Sequence, residues 1–265
     1  FNPNFYWEQL GQPITSSNET MGNSVSINSD GKKIAIGSPI HRGSVDVYEY
    51  NDISWVQLGQ RIMGTLNENT ETMAGKSVSL SSNGLIVAFG EYTTSGGKIR
   101  ILEYDTSWVE LGEPIITENN SFVSLNNNGN IIAFNDISSG IVKVYEYNDV
   151  SWVQLGNNIT NEGSDKEGYS IQINGLGNII IVGQPYKTNE GQARVFKYNS
   201  VTQTWDKIGD TIYGNSNTTK DGISVQINDK GTIAALSSDS DVNIYKYKNN
   251  NWEKMGNTIL IDSLG

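Results

Sequence analysis

Residues 47–59 read VYEYNDISWVQLG, and residues 144–156 read VYEYNDVSWVQLG. The two segments agree at twelve of thirteen positions, and the exception is Ile53 against Val150. A segment copied this closely within one chain is the signature of an internal repeat, in which each copy does the same packing work. The rest of the chain therefore has to be read as copies of one unit.

Tryptophan marks the length of that unit. The six tryptophans of the chain lie 44 to 53 residues apart, and each is followed by a near-constant tail, W-x-x-L-G or a close variant. A period of about 49 residues is typical of propellers, whose blades are single supersecondary units that bury their faces only by stacking.

Each unit contains four strand signals. A short alternating segment such as SVSI at residues 24–27 is followed by an Asn-, Asp- and Gly-rich turn, which accepts the positive φ of a tight hairpin. A second strand, a longer loop, a third strand such as VDVYEY at residues 45–50, and the tryptophan strand complete the unit. The expected blades are residues 23–59, 76–112, 121–156, 169–209 and 223–256, with residues 1–12 as a ring-closing outer strand.

This pattern predicts an all-β protein, a single β-propeller domain over residues 1–265 with five four-stranded antiparallel blades. A segment of a six- or seven-bladed array is the alternative, since there are six tryptophan strands but five copies of the other three. A solenoid of stacked hairpins is less favoured, because solenoid repeats are usually shorter. The tryptophans are interpreted as structural wedges that fill the space where neighbouring blades diverge: Trp7, Trp55, Trp108, Trp152, Trp205 and Trp252.

Residues 21–39, which include Met21-Gly22-Asn23-Ser24 and Ile36-Gly37-Ser38-Pro39, resemble the FG-GAP repeat of integrin-α-type propellers. The W-x-x-L-G tail resembles a subclass found in predicted surface proteins of microbial eukaryotes, marine bacteria and large viruses. The resemblance implies a propeller fold. Repeat three departs from it, because Asn135 replaces the second glycine. Calcium ligands known in many such repeats are not expected here, since the corresponding turns are too short and nearly uncharged to supply about six oxygens.

Composition excludes several kinds of site. The chain has no cysteine and one histidine, His41, which argues against thiolate zinc sites, multi-histidine metal sites and a histidine-based triad. We therefore expect no metal and no cofactor, and interpret His41 as a loop residue. The net charge of −11 disfavours nucleic acid as a partner, and the apolar runs have strand length, so no membrane insertion is expected.

The long loops on one face of the propeller carry most of this negative charge. They contain fifteen acidic and five basic residues, which amounts to −10 of the chain's −11. Variable loops on a rigid scaffold are where binding usually resides, although acidic loops can also serve solubility alone. The candidate ligand-binding residues on this anionic loop face are Glu71, Asp136, Asp165, Glu167, Asp221 and Asp239.

These features favour a non-catalytic recognition module, extracellular or on a particle surface, that binds a protein or a glycan, with basic proteins among the candidates. A structural component of a larger assembly is the alternative. A propeller glycosidase is less favoured. It would need two carboxylates about 5–9.5 Å apart near the axis, drawn from Glu71, Asp136, Glu167 and Asp221, and no blade carries the elaboration typical of an enzyme. The sequence thus predicts a protein that is not an enzyme.

Overall fold

The computed structural model describes residues 7–15, 21–65, 73–93, 96–118, 122–136, 139–160, 170–187, 190–214 and 220–261. All regular structure in these residues is β, arranged as five antiparallel sheets in chain order. Four of the sheets have five strand segments and one has four. In each sheet the first three strands pair in the order of the sequence, and where there are two further segments both pair with the third strand as two parts of one outer strand, so each sheet is one four-stranded blade. The predicted all-β propeller with five four-stranded blades is confirmed.

The strand bounds follow the repeat. Blade 1 contains β1 (Ser24–Ile27), β2 (Lys33–Ser38), β3 (Ser44–Tyr50), β4 (Trp55–Gln57) and β5 (Ile62–Met63). Blade 2 contains β6 (Val78–Leu80), β7 (Ile86–Thr93), β8 (Gly96–Tyr104), β9 (Trp108–Glu110) and β10 (Ile115–Thr117). Blade 3 contains β11 (Val123–Leu125), β12 (Ile131–Asp136), β13 (Ile141–Tyr147) and β14 (Trp152–Gln154). Blade 4 contains β15 (Ser170–Ile173), β16 (Ile179–Gln184), β17 (Gln192–Asn199), β18 (Thr204–Lys207) and β19 (Ile212–Tyr213). Blade 5 contains β20 (Ser224–Ile227), β21 (Ile233–Ser237), β22 (Asp241–Lys248), β23 (Asn251–Lys254) and β24 (Ile259–Leu260).

The fourth, outer strand of a blade is interrupted at the Leu-Gly pair that ends the W-x-x-L-G segment. In blade 1, β4 pairs with residues 48–50 of β3, and β5 pairs with residues 44 and 45 of the same strand. Leu58 and Gly59 lie between the two segments, and Gly59 has a φ of 72°, which favours glycine. The interruption turns the Leu58 carbonyl towards the next blade, where it accepts a hydrogen bond from the indole of Trp108 at 2.8 Å.

The same contact joins each blade to the next from blade 1 to blade 5, and an equivalent contact joins residues 7–15 to blade 1. In each blade a tyrosine and a tryptophan ring lie 5.1 to 5.4 Å apart, and the Leu-Gly tail of the preceding unit covers them. A Cβ on Gly59 would lie 2.7 Å from Tyr104 and 2.9 Å from Trp108, so only glycine fits. The indole Nε1 donors and the carbonyls that accept from them are Trp55 to Leu10, Trp108 to Leu58, Trp152 to Leu111, Trp205 to Leu155 and Trp252 to Ile208. This shared contact is a physical reason for the repetition of residues 47–59 at 144–156.

Apolar clusters fill the space between blades. Val45 and Val47 of blade 1 pack against Phe89 and Leu102 of blade 2 in one such cluster. Equivalent clusters join blades 2 and 3, blades 3 and 4, and blades 4 and 5. Because each cluster takes its residues from two blades, stacking the blades buries faces that a lone blade would expose.

The inner strands are linked by side chains at the polar positions of their alternating pattern. Ser24 donates to the Gly75 carbonyl and Ser170 to the Gly222 carbonyl, each at 2.8 Å. In blades 1 to 4, one residue of the inner strand accepts from a backbone N–H of the following blade: Ser26 from Leu80, Ser79 from Leu125, Ser124 from Ile173 and Gln172 from Ile227. The alternation of Ser or Gln with Val or Ile therefore lets one inner strand contact both the preceding and the following blade.

The junction between blades 5 and 1 differs from the other four. None of the apolar clusters formed by the described residues joins these two blades. Residues 7–12, the described part of the expected ring-closing strand, form no strand. Trp7 is fully exposed, so the interpretation of this tryptophan as a buried wedge is corrected. Trp108, Trp152, Trp205 and Trp252 are buried, and Trp55 is half-buried.

Candidate functional site

The structure distributes the acidic candidates over several blades. Glu71, Asp165 and Glu167 lie outside the described residues. Asp136 is buried at the end of β12 in blade 3, and Asp221 is buried just before β20 in blade 5. Blade 4 stands between them in the chain order, so these two carboxylates belong to different junctions.

Asp221 and Asp239, the other described candidates, both belong to blade 5. Asp239 is exposed, and its carboxylate lies 3.8 Å from the amino group of Lys220. Asp221 lies next to Lys220 in the chain, and its backbone N–H donates to the Glu190 carbonyl at 3.0 Å. Its carboxylate, with that of Asp241, adds to the effect of burial in raising the pKa of Tyr245. This group therefore acts electrostatically within the blade 4–5 junction.

The described residues contain no group of three or more His, Cys, Asp or Glu side chains placed to hold a metal ion. They also contain no helix of the length and apolar character needed to span a bilayer.

A groove on blade 1 brings together a different set of side chains. It has a volume of about 210 Å³ and is lined by the β2–β3 loop and by the segment around β5. His41 and Arg42 come from the loop, and Arg61 comes from the segment, so the chain's single histidine lies beside two guanidinium groups. Ile40 and Met63 supply apolar walls.

Arg61 is fixed by a buried carboxylate. Its Nε lies 2.9 and 3.0 Å from the two oxygens of Asp46, and Gln57 donates to the same carboxylate at 3.3 Å. Asp46 raises the pKa of Arg61 by hydrogen bonding and charge, so the guanidinium stays protonated. Because the contact with Asp46 uses Nε, the two terminal amino groups of Arg61 make no hydrogen bond with the described residues.

His41 has a φ of 57°, in the left-handed region that residues other than glycine seldom adopt. Backbone of this kind is found at functional sites, and six other described non-glycine residues share it. Arg42 is anchored by a hydrogen bond of 3.3 Å to the Gly64 carbonyl. Two guanidinium groups thus line this groove, called the cationic groove below, and the Asp46 carboxylate pairs with that of Arg61.

The equivalent position in blade 2 is closed. Arg100 occupies the place that Asp46 has in blade 1, and it bonds Glu110 at 2.6 Å and the Met63 carbonyl at 2.7 Å. Glu91 is buried there and accepts two hydrogen bonds from Thr65. Because its charged groups are paired and covered by the tail of blade 1, this network holds two blades together.

A larger groove of about 530 Å³ lies between the outer strands of blades 4 and 5. Its polar side chains bond one another: Asn251 bonds Asp210 at 2.7 Å, and Lys207 lies 3.4 Å from the Thr211 hydroxyl. Tyr245 and Trp252 on its wall belong to the packing of that junction. This groove therefore reflects the repeated blade contact, and the smaller cationic groove has the more distinctive chemistry.

The sequence reasoning missed the cationic groove. Arg42 and Arg61 are two of the five basic residues counted in the mainly acidic loops, and His41 is interpreted there as a loop residue alone. The available signal was their recurrence in two loops of the same blade. The sequence contains these three residues in two loops of blade 1, but only the pairing of β5 with β3 brings the two loops together.

No family model matches the chain, and no curated protein matches it. Solved structures share the fold. A functionally unknown protein from Desulfotomaculum acetoxidans is 12% identical with a TM-score of 0.69, over 97% of this chain and 77% of that one. A putative 6-phosphogluconolactonase from Bacteroides uniformis is 12% identical with a TM-score of 0.58, over 91% and 86%. A periplasmic gluconolactonase from Pseudomonas aeruginosa is 14% identical with a TM-score of 0.59, over 91% and 70%.

These neighbours correct the expected function. The non-catalytic recognition module was inferred from the regular blades, but propellers of similar architecture include proteins named as sugar lactonases. Regular blades therefore do not indicate a non-catalytic role. At 12 to 14% identity the likeness shows the fold alone.

Proposed function

We propose that this chain is a propeller hydrolase that acts on a small anionic sugar lactone in the groove of His41, Arg42 and Arg61. The observation that carries the proposal is this groove, which combines a titratable imidazole with two guanidinium groups. The solved neighbours named as lactonases support the choice of substrate class.

The residues suit the chemistry. Lactone hydrolysis needs a base that takes a proton from the attacking water, and histidine is the side chain most often used for this. The carbonyl oxygen becomes negative in the transition state, and fixed cations stabilise that charge. Arg61, held by Asp46, would supply this stabilisation. Arg42 would bind the anionic group of the substrate.

The test measures hydrolysis of 6-phosphoglucono-δ-lactone and glucono-δ-lactone above the spontaneous rate, by titration of released acid. We expect faster hydrolysis of the phosphorylated lactone. His41→Asn should lower kcat about 100-fold or more, the range of general base catalysis, and asparagine tolerates the positive φ. Asp239→Asn, an exposed loop change outside the groove, serves as the control. No acceleration of either lactone by the parent chain would overturn the proposal.

We also propose that the repeat is of the FG-GAP type with a W-x-x-L-G tail. In support, a Cβ on Gly37 would lie 1.9 Å from the Gly75 carbonyl, and one on Gly183 would lie 2.3 Å from the Gly222 carbonyl. This glycine of the motif thus lies, in both repeats, where the backbones of neighbouring blades come close together. If these glycines did not superpose on those of an FG-GAP propeller, the proposed class would be wrong.

A further inference from the structure

Blade 1 presents an apolar face that lacks the cover its counterparts receive. Val25 and Ile27 on β1 are each 60% exposed. The equivalent Val78 and Leu80 on β6 are 8% and 7% exposed, because blade 1 covers them. The backbone N–H of Leu80 also finds the Ser26 hydroxyl at 2.9 Å. Ile27, at the equivalent position, has no such donor–acceptor pair among the described residues.

Blade 5 presents the complementary face. Ile259 on β24 is 56% exposed, whereas the equivalent Ile62 on β5 is 4% exposed. Ser224 is exposed, although its counterpart Ser170 donates to a carbonyl of the following blade. A Cβ on Gly256 would have no neighbour within 4 Å. The Met255–Gly256 tail is therefore an unused copy of the Leu-Gly contact.

Residues 7–15 already occupy one side of the gap. The Leu10 carbonyl accepts from the Trp55 indole at 2.9 Å, and a Cβ on Gly11 would lie 3.0 Å from Tyr50 and 3.3 Å from Trp55. Residues 7–15 thus lie on blade 1 as the tail of a preceding blade would. Blade 5 of a second copy could not dock directly on blade 1, because its Met255–Gly256 tail and the Leu10–Gly11 tail would need the same place.

We propose that the gap between blades 5 and 1 takes one further blade, formed by a three-stranded antiparallel sheet of this same repeat pattern. Residues 7–15 become its outer strand. Trp7 then packs on Gly256 and donates to the Met255 carbonyl, as each other tryptophan does at its own junction. The inner strand of the added sheet brings a Ser or Gln to the N–H of Ile27, and its apolar residues cover Val25.

The test adds such a sheet to the whole chain. Residues 121–147, which carry β11 to β13, are fused directly before Phe1, so that the Trp7 segment can complete the blade. We expect the fusion to be a monomer with a higher thermal midpoint of unfolding than the parent chain. We also expect that acrylamide no longer quenches the fluorescence of Trp7. The fluorescence of Trp7 is the difference between the fusion and the same fusion carrying Trp7→Phe. A fusion in which Trp7 is quenched as strongly as in the parent chain would overturn the proposal.

A matched variant separates a docked blade from a merely tethered one. Gly256→Asn places a side chain where Trp7 would pack. A Cβ there has no neighbour within 4 Å in the parent chain, and asparagine tolerates the φ of 65° at this position better than most other residues do. In the fusion it should restore quenching of Trp7 and lower the thermal midpoint towards that of the parent. Equal midpoints for the two fusions would contradict docking at Gly256.

Light scattering on the unmodified chain tests the other occupant. The proposal expects a monomer whose Val25 and Gly256 stay accessible, measured by labelling Val25→Cys and Gly256→Cys variants. A dimer that protects both positions would show that a second copy fills the gap, and would overturn the proposal. Neither result depends on lactone hydrolysis, which has its own readout.

Discussion

At the scale of single residues, each buried tryptophan makes two contacts that a different aromatic residue could not make together. Its ring packs on a tyrosine of the same blade, as in Tyr147 and Trp152 at 5.2 Å, and its indole N–H reaches a carbonyl of the preceding unit. Phenylalanine would keep the packing and lose the bond. The glycine after each leucine is required by the same contact, because any Cβ would meet the rings.

The first prediction compares two tryptophans of the same motif. Trp152→Ala should lower the free energy of unfolding by about 3–5 kcal/mol, the cost of truncating a buried aromatic side chain. Trp7→Ala should change it by less than about 0.5 kcal/mol, because Trp7 is exposed. Urea unfolding followed by circular dichroism measures both. Equal effects would show that the two tryptophans have the same environment.

We predict that the raised pKa of Tyr245 lowers the free energy of unfolding at alkaline pH. Burial, with the charges of Asp221 and Asp241, raises its pKa above the ordinary value of 10.0. The folded state therefore holds this proton more tightly than the unfolded state does, and the resulting stability is complete below pH 10 and falls as the pH rises through the folded pKa. Tyr245→Phe should show a smaller decline between pH 10 and 11 in urea unfolding. An unchanged decline would contradict the role of this residue.

At the scale of strands, an inner strand combines two functions within a two-residue period. In blades 2 to 4 its Val, Ile or Leu side chains pack against the preceding blade, and its Ser or Gln side chains bond the following one. Because alternation fixes which face each residue occupies, a shift of one position would bury the hydroxyls and expose the apolar residues.

The next prediction concerns this strand. Ser79→Ala removes the acceptor for the Leu125 N–H and should cost about 1–3 kcal/mol, the penalty of leaving a buried donor unpaired. Ser224→Ala, which changes an exposed serine on the inner strand of blade 5, should have almost no effect. Thermal unfolding of the two variants gives the comparison. A neutral Ser79→Ala would mean that water replaces the lost acceptor.

At the scale of the whole molecule, the sequence was sufficient to predict the five blades but not the state of the junction between blades 5 and 1. The β1–β4 pattern could be read because alternation, turn residues and the tryptophan tail recur in every unit. The exposure of Trp7 could not be read, because residues 7–11, WEQLG, resemble WVQLG of blade 1, and burial depends on whether neighbouring strands are present. The cationic groove was missed because it depends on contact between two loops of blade 1.

Hydrogen exchange at one amide measures the state of the junction between blades 5 and 1. The amides of Leu80, Leu125, Ile173 and Ile227 are bonded to side chains of the preceding blade. Ile27 occupies the same position in blade 1, on a face that is 60% exposed. Residue-resolved exchange followed by NMR should therefore find Ile27 exchanging at least 100-fold faster than those four amides. Protection of Ile27 equal to theirs would show that blade 5 covers blade 1, and would contradict the open junction.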